Sequence, residues 1–183
     1  MKTLWLAVFA CGILGLGGCA GTSLERYRDQ RPVLDLTQYF NGTIDGWGMF
    51  QDRSGAVIKR FHVVIDARWE KRDGVDVGTL DENFTWSDGT TSRRVWTITR
   101  VDAGHYVGRA DDVVGEARGE AAGNALRWRY VLALPVDGRV WNVDFDDWMF
   151  LIDEGDKRVM LNRAVMSKFG FRLGEVTLSF TRR

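Results

Sequence analysis

Two hydrophobic patterns divide the chain. From Leu4 to Leu16 the apolar residues run together without a charge, whereas from Tyr39 onward they alternate with polar ones in short segments. Alternation with a period of two marks a strand with one buried face, and turn residues at fairly regular spacing mark consecutive hairpins. The pattern predicts strands over Ile44 to Phe50, Val57 to Trp69, Val75 to Trp86, Arg93 to Arg100, His105 to Ala110, Ala125 to Leu134, Arg139 to Ile152, Val159 to Met166 and Phe171 to Phe180. The turns between them include Asp52-Arg53-Ser54-Gly55, Lys71-Arg72-Asp73-Gly74, Asp88-Gly89 and Pro135-Val136-Asp137-Gly138. The Gly- and Ala-rich stretch Asp111 to Ala122 reads as a strand over Gly115 to Ala121, with a loop and short helix as the alternative.

Eight to ten antiparallel strands in one domain leave edges to be managed, and closure removes them. The fold expectation is therefore all-β: an antiparallel up-and-down meander closing into a lipocalin- or calycin-like barrel. A two-sheet sandwich is the alternative. A barrel of this size holds either packed side chains or one small ligand.

The apolar run is too short to span a bilayer, which takes ~20 residues. It fits a signal-peptide core, and it leads into Leu16-Gly17-Gly18-Cys19, which resembles a lipobox. As a buried helix it would carry Gly12, Gly15, Gly17 and Gly18 at roughly 1 kcal/mol each. The expected organisation is a signal peptide over 1–18, a lipidated Cys19 with a polar tether over 19–33, and a single β-barrel domain over 34–183. Ala20 follows the cysteine; by resemblance to lipoproteins of double-membrane bacteria, a residue other than Asp there implies sorting to the outer membrane, facing the periplasm. Multiple acyl chains on Cys19 would make the anchor permanent, because each buried methylene contributes ~0.8 kcal/mol.

Composition narrows the function classes. The 25 basic and 25 acidic residues balance, so no field draws the chain to nucleic acid, and no basic stripe is present. Cys11 leaves with the leader and Cys19 is acylated, so the domain must be stable without disulfides. There is no Gly-x-Ser-x-Gly elbow, no His-Glu-x-x-His and no phosphate-binding Gly loop. No catalytic residue, cofactor or metal site is assigned; Asp111-Asp112 and Asp146-Asp147 lack the loop spacing of a cation site.

The hairpin of Ala125 to Leu134 and Arg139 to Phe150 carries the candidate chemistry. If Leu134 pairs with Arg139, Arg129 faces Asp144, Arg127 faces Asp146 and Trp128 faces Phe145. One face is then charged and the other aromatic and aliphatic. The charged face either points to solvent, which the cost of desolvating ions favours, or turns inward with Arg94 and Asn162 as a polar pocket floor. Asp146-Asp147 interrupts strict alternation and reads as a β-bulge. Seven tryptophans follow the leader, and they either fill the core or line a ligand cavity. The candidate ligand-binding set is Trp47, Arg94, Trp96, Arg127, Trp128, Arg129, Asp144, Asp146, Trp148 and Asn162.

Several strings then carry a family resemblance: Gly46-Trp47-Gly48, Arg94-Val95-Trp96, Ala110-Asp111-Asp112-Val113-Val114-Gly115, Gly123-Asn124-Ala125-Leu126-Arg127-Trp128, Asp146-Asp147-Trp148-Met149 and Met166-Ser167-Lys168-Phe169-Gly170. Together, over Leu34 to Arg182, the chain resembles an uncharacterised bacterial lipoprotein family, domain of unknown function 3833. The resemblance implies a lipoprotein and no particular activity. The functional expectation is an outer-membrane-anchored periplasmic lipoprotein that binds a lipid or other hydrophobic small molecule in its barrel. A partner-binding envelope protein with a packed barrel, or a small-barrel enzyme using Asp144, Asp146 or His62 on an amphiphile, are the alternatives.

Overall fold

Strict alternation is what the strands bury. In the strand Val57–Arg72, Phe61, Val63, Ile65 and Ala67 are buried while Arg60, Asp66 and Arg68 are exposed. The computed structural model describes residues 22–136, 138–154 and 157–183. The apolar leader and Cys19 therefore lie outside the described residues.

Among the described residues ten strands follow one another: β1 Gly42–Asp52, β2 Val57–Arg72, β3 Val75–Trp86, β4 Thr91–Arg100, β5 His105–Arg109, β6 Ala117–Ala122, β7 Ala125–Val136, β8 Arg139–Glu154, β9 Lys157–Lys168 and β10 Phe171–Arg182. Each pairs antiparallel with its sequence neighbours, and β1 pairs with β10 from Ile44↔Arg182 to Asp52↔Gly174, which closes the barrel. Closure leaves no free edge strand among the described residues to template aggregation. Among the described residues no helix is long and apolar enough to cross a membrane.

The β7–β8 register differs from the expected one by two residues. Val136 pairs with Arg139 and Leu134 with Trp141, so Arg129 stands opposite Asp146 and Trp128 opposite Asp147. The strands extend to the Val136↔Arg139 pair, and Gly138 before β8 has a φ of 74°, which suits a tight hairpin with the native strand twist. A shift of two leaves every side chain on its expected face. The bulge expected at Asp146-Asp147 is absent: the ladders to β7 and β9 run through both residues without a shift. Register shifts occur instead at Phe50/Gln51 and Arg172/Gly174.

One end of the barrel is plugged. The short helix α1 (Leu36–Tyr39) is capped by Asp35, which accepts from the Thr37 amide at 2.9 Å. It lays Leu34, Leu36, Tyr39 and Phe40 into the barrel, all buried. Tyr39 Oη donates to the Phe180 carbonyl at 2.9 Å, and Trp69 Nε1 donates to the Phe40 carbonyl at 2.8 Å. Upstream, the part of the expected tether that is described lies against the wall rather than away from it. The 3-10 turn Leu24–Tyr27 brings the Tyr27 ring to 6.0 Å from Trp148 and 5.1 Å from Phe150. The opposite end carries the turns before β2, β4, β6, β8 and β10. Its rim is apolar along adjacent hairpins, with Ile58, Val140, Phe169 and Phe171 at 59%, 69%, 83% and 75% exposure.

Candidate ligand-binding site

The barrel interior is not filled. A cavity of 680 Å³ runs from the plug to the open end, within the range of pockets that hold drug-sized ligands. Its walls are mostly apolar and aromatic. Near the mouth, Phe61, Phe84 and Trp86 pack together, with Phe84 and Trp86 stacked at 5.7 Å. Further round the wall, Trp96 meets Trp128 and Tyr130 edge-on at 5.8 and 5.5 Å, and Tyr130 stacks on Phe145 at 4.9 Å.

Small residues make room for these rings. Gly108 and Gly119, on inward positions of β5 and β6, lie beneath Trp128; a Cβ at either would fall 2.4 or 2.2 Å from its ring. The short strands β5 and β6 leave the wall incomplete toward the mouth. The loop between them completes it: the Val114 amide donates to the Val131 carbonyl and the Ala133 amide to the Asp112 carbonyl, at 2.9 and 2.8 Å. That pairing turns the Asp112 side chain toward the interior.

A polar layer crosses the greasy wall. Glu82 on β3 pairs in register with Arg94 on β4. Arg94 donates to Asp112 from Nε at 2.9 Å and from Nη2 at 2.6 Å, and its Nη1 lies 3.9 Å from Glu82. Across the cavity, Asp147 on β8 is 6% exposed and Asn162 on β9 is 3% exposed. Tyr130 Oη donates to Asp147 Oδ2 at 3.5 Å, and Asp147 Oδ1 has no partner among the described residues.

The electrostatics follow from burial. Loss of water raises the Asp147 carboxyl to about 8, helped by the Asp146 charge and opposed by Tyr130. Loss of water likewise raises Glu82 to about 7, with the nearby Arg94 charge limiting the rise. Burial pushes the Tyr130 phenol well above its ordinary value. Arg94 is raised despite its burial, because Glu82 and Asp112 hold its charge. At neutral pH the layer is thus one guanidinium bracketed by carboxyls, with Asp147 mainly protonated.

The residues picked from sequence divide between the two faces of the wall. Arg94, Trp96, Trp128 and Asn162 line the cavity. Arg127, Arg129, Asp144, Asp146, Trp148 and Trp47 lie on the outer face or are exposed. Arg127 does pair with Asp146, at 2.7 Å through both Nε and Nη2, but as a diagonal neighbour on the wet face, with its guanidinium over Trp148. Arg129 pairs with Glu120 at 2.6 Å instead of Asp144. His62 also faces outward, with Nε2 2.9 Å from Asp45 Oδ1 and its ring against Trp47. The charged face of the β7–β8 hairpin is therefore the solvent face, as the cost of burying ions requires.

The other four residues of the polar layer, Glu82, Asp112, Tyr130 and Asp147, were missed. Glu82 and Asp147 carry a readable signal, since each occupies the inward phase of its strand, between Leu80 and Phe84 and between Phe145 and Met149. Tyr130 shares the phase of Trp128. Asp112 lies in a loop, where alternation offers no signal. Among the described residues there is no cluster of three or more metal-binding side chains.

A family model described as a protein of unknown function, DUF3833, matches residues 13–182, in agreement with the resemblance read from the quoted strings. No curated protein matches the chain. With the match spanning nearly all of the barrel and its plug, the chain belongs to the DUF3833 family.

Proposed function

We propose that this protein is a lipid-anchored carrier or receptor that holds a lipid or other hydrophobic small molecule in its barrel. The observation that carries the reading is the open 680 Å³ cavity, walled by Phe61, Phe84, Trp96, Trp128 and Phe145 and left unfilled by the protein's own side chains. Native cores close-pack, so an apolar space of this size costs stability that a bound apolar molecule restores. The plug makes the barrel single-ended, and the apolar rim gives an amphiphile a greasy path to the mouth.

The anchor is part of the proposal. Cys19 would carry the acyl chains and hold the protein at the periplasmic face of the outer membrane. The chain reaches the barrel at its plugged end, where the Leu34 amide donates to the Gly123 carbonyl at 2.8 Å. An anchored barrel would then turn its mouth away from the membrane that holds it. Ligand would be exchanged with the aqueous side or with a partner docked on the rim.

Two measurements test the reading. Native mass spectrometry of protein purified without detergent is expected to show a co-purified apolar molecule, and tryptophan fluorescence is expected to change on adding medium-chain alkyl compounds. A protein that carries nothing and shows no fluorescence response with any of them would overturn the binding function. For the anchor, the intact mass of the mature chain is expected to show an acylated Cys19, with the modification abolished by Cys19→Ser; an unmodified N-terminus would remove that part.

A further inference from the structure

We infer that the ligand's polar end is an uncharged or cationic hydrogen-bond donor seated against Asp147, and that the cavity rejects amphiphiles headed by a carboxylate. The inference rests on the binding function proposed above and narrows it to a ligand class. Its first support is a count of interior charge. Among the described residues, Glu82, Asp112 and Asp147 bring three carboxyl groups to the inner wall, against one inward guanidinium from Arg94; its neighbour Arg93 reaches only the exposed mouth. The Arg94 guanidinium is already committed: two of its nitrogens donate to Asp112 within 2.9 Å, and the third lies 3.9 Å from Glu82. Two further cations touch the cavity at its mouth, and both are paired: Lys59 Nζ lies 2.7 Å from Asp88, and Arg93 Nη2 lies 2.7 Å from Asp81.

An anionic head group entering this layer would find carboxyls on both sides and, among the described residues, no unpaired cation. Taking an ion out of water costs several kcal/mol unless it is paired, so the arrangement selects against it. A donor head group meets the reverse situation. Asp147 Oδ1 has no partner among the described residues, and Oδ2 receives only the long bond from Tyr130. An unsatisfied buried acceptor is costly, and a ligand hydroxyl, amide or ammonium would relieve that cost. Asn162, on the neighbouring strand and opposite Met149, also lines the cavity, its Nδ2 donating to the Trp148 carbonyl at 3.5 Å. The groups facing Asp147 are Tyr130 from β7, Arg94 from β4 and Glu82 from β3, while the charge of Asp146, next to it on β8, acts from the outer face of the wall. Burial keeps Asp147 protonated to about 8, so a neutral donor meets an uncharged partner, whereas an ammonium ligand would displace the carboxyl proton.

The test is a head-group series at constant chain length, titrated into the purified protein and followed by the fluorescence of Trp96 and Trp128. The probes are a medium-chain alkanol, the matching alkylammonium and the matching alkanoate. The alkanol and alkylammonium are expected to bind at least about tenfold more tightly than the alkanoate, a difference of about 1.4 kcal/mol. In Asp147→Asn the ratio of alkylammonium to alkanol affinity is expected to fall about tenfold. The ratio in the unaltered protein decides the matter even if that variant fails to fold. Equal or tighter binding of the alkanoate would overturn the inference and leave the binding function standing. Binding of none of the three would overturn both.

Discussion

Gly119 stands directly opposite Trp128 on the β6–β7 ladder, and a Cβ on it would lie 2.2 Å from Cε3 of the indole. The glycine is therefore a seat for the ring, and the cavity wall depends on it. Gly119→Ala is expected to push Trp128 toward the cavity. Overpacking of this kind costs ~1–3 kcal/mol. Thermal melting should show the loss, and the tryptophan response to an added alkanol should shrink because the ring occupies ligand space. An unchanged melting temperature would mean that the wall yields elsewhere.

The buried carboxyls set a pH dependence whose sign is opposite to ordinary acid denaturation. Asp147 rises to about 8 and Glu82 to about 7, both above their ordinary values, so the folded protein binds more protons than the unfolded chain in between. Stability from these two groups is complete below the unfolded carboxylate range and is lost as pH rises through about 7 and then about 8. The size of the loss is on the order of a few kcal/mol. Urea unfolding between weakly acidic and weakly alkaline pH should show it. Asp147→Asn should flatten the alkaline limb, and a slope identical to that of the unaltered protein would show that Asp147 ionises without cost.

The barrel was legible because alternation survives almost everywhere: nine strands and a tenth over Gly115 to Ala121 follow from it and from the turns, and β2, β3 and β8 keep their phase along their lengths. Ion desolvation favours the wet face for Arg127 and Asp146, where the structure places them, but alternation alone leaves both faces open and both residues in the candidate ligand-binding set. The polar layer was read only at Arg94 and Asn162; Glu82 and Asp147 escaped because they are charged residue types in inward positions, and pattern reading assigns such types to solvent. A strand with Leu80, Glu82 and Phe84 in one phase is the signal that could have found the first of them. Asp112 was beyond reach, since its inward direction depends on a loop pairing with β7 across the chain.

The docking of the N-terminal segment gives a third expectation. Gly123 has a φ of +54°, and a Cβ there would fall 1.6 Å from the Tyr27 carbonyl oxygen. No side chain fits between the β6–β7 turn and the 3-10 turn. Gly123→Ala should lift Leu24–Tyr27 from the wall and uncover Trp148 and Phe150, which Tyr27 now packs against. Trypsin should then cut at Arg26 and Arg28 several-fold faster than in the unaltered protein. The strand core, which closes through β1 and β10, should keep its protection from hydrogen exchange. Unchanged cleavage at those two sites would mean that the segment does not depend on this contact.

Arg94 and Arg127 make chemically similar pairs in opposite environments, and their substitution should separate the two. Arg127 donates to both oxygens of Asp146 on the outer wall, where water can replace either partner. Such pairs contribute about 0–1 kcal/mol, so Arg127→Met should leave stability nearly unchanged and leave alkanol binding intact. Arg94 is held between Glu82 and Asp112 inside the barrel. Arg94→Met would strand their negative charge without a counter-ion, and breaking a buried pair in this way costs ~3–5 kcal/mol. The cost should be smaller at weakly acidic pH, where Glu82 takes up a proton. Adding Glu82→Gln and Asp112→Asn to Arg94→Met should restore most of the stability, because no uncompensated charge then remains. Denaturant midpoints of the single and triple variants measure both effects. If Arg94→Met proved as mild as Arg127→Met, the interior layer would have to be open to water, and the selectivity argued for the cavity would lose its physical basis.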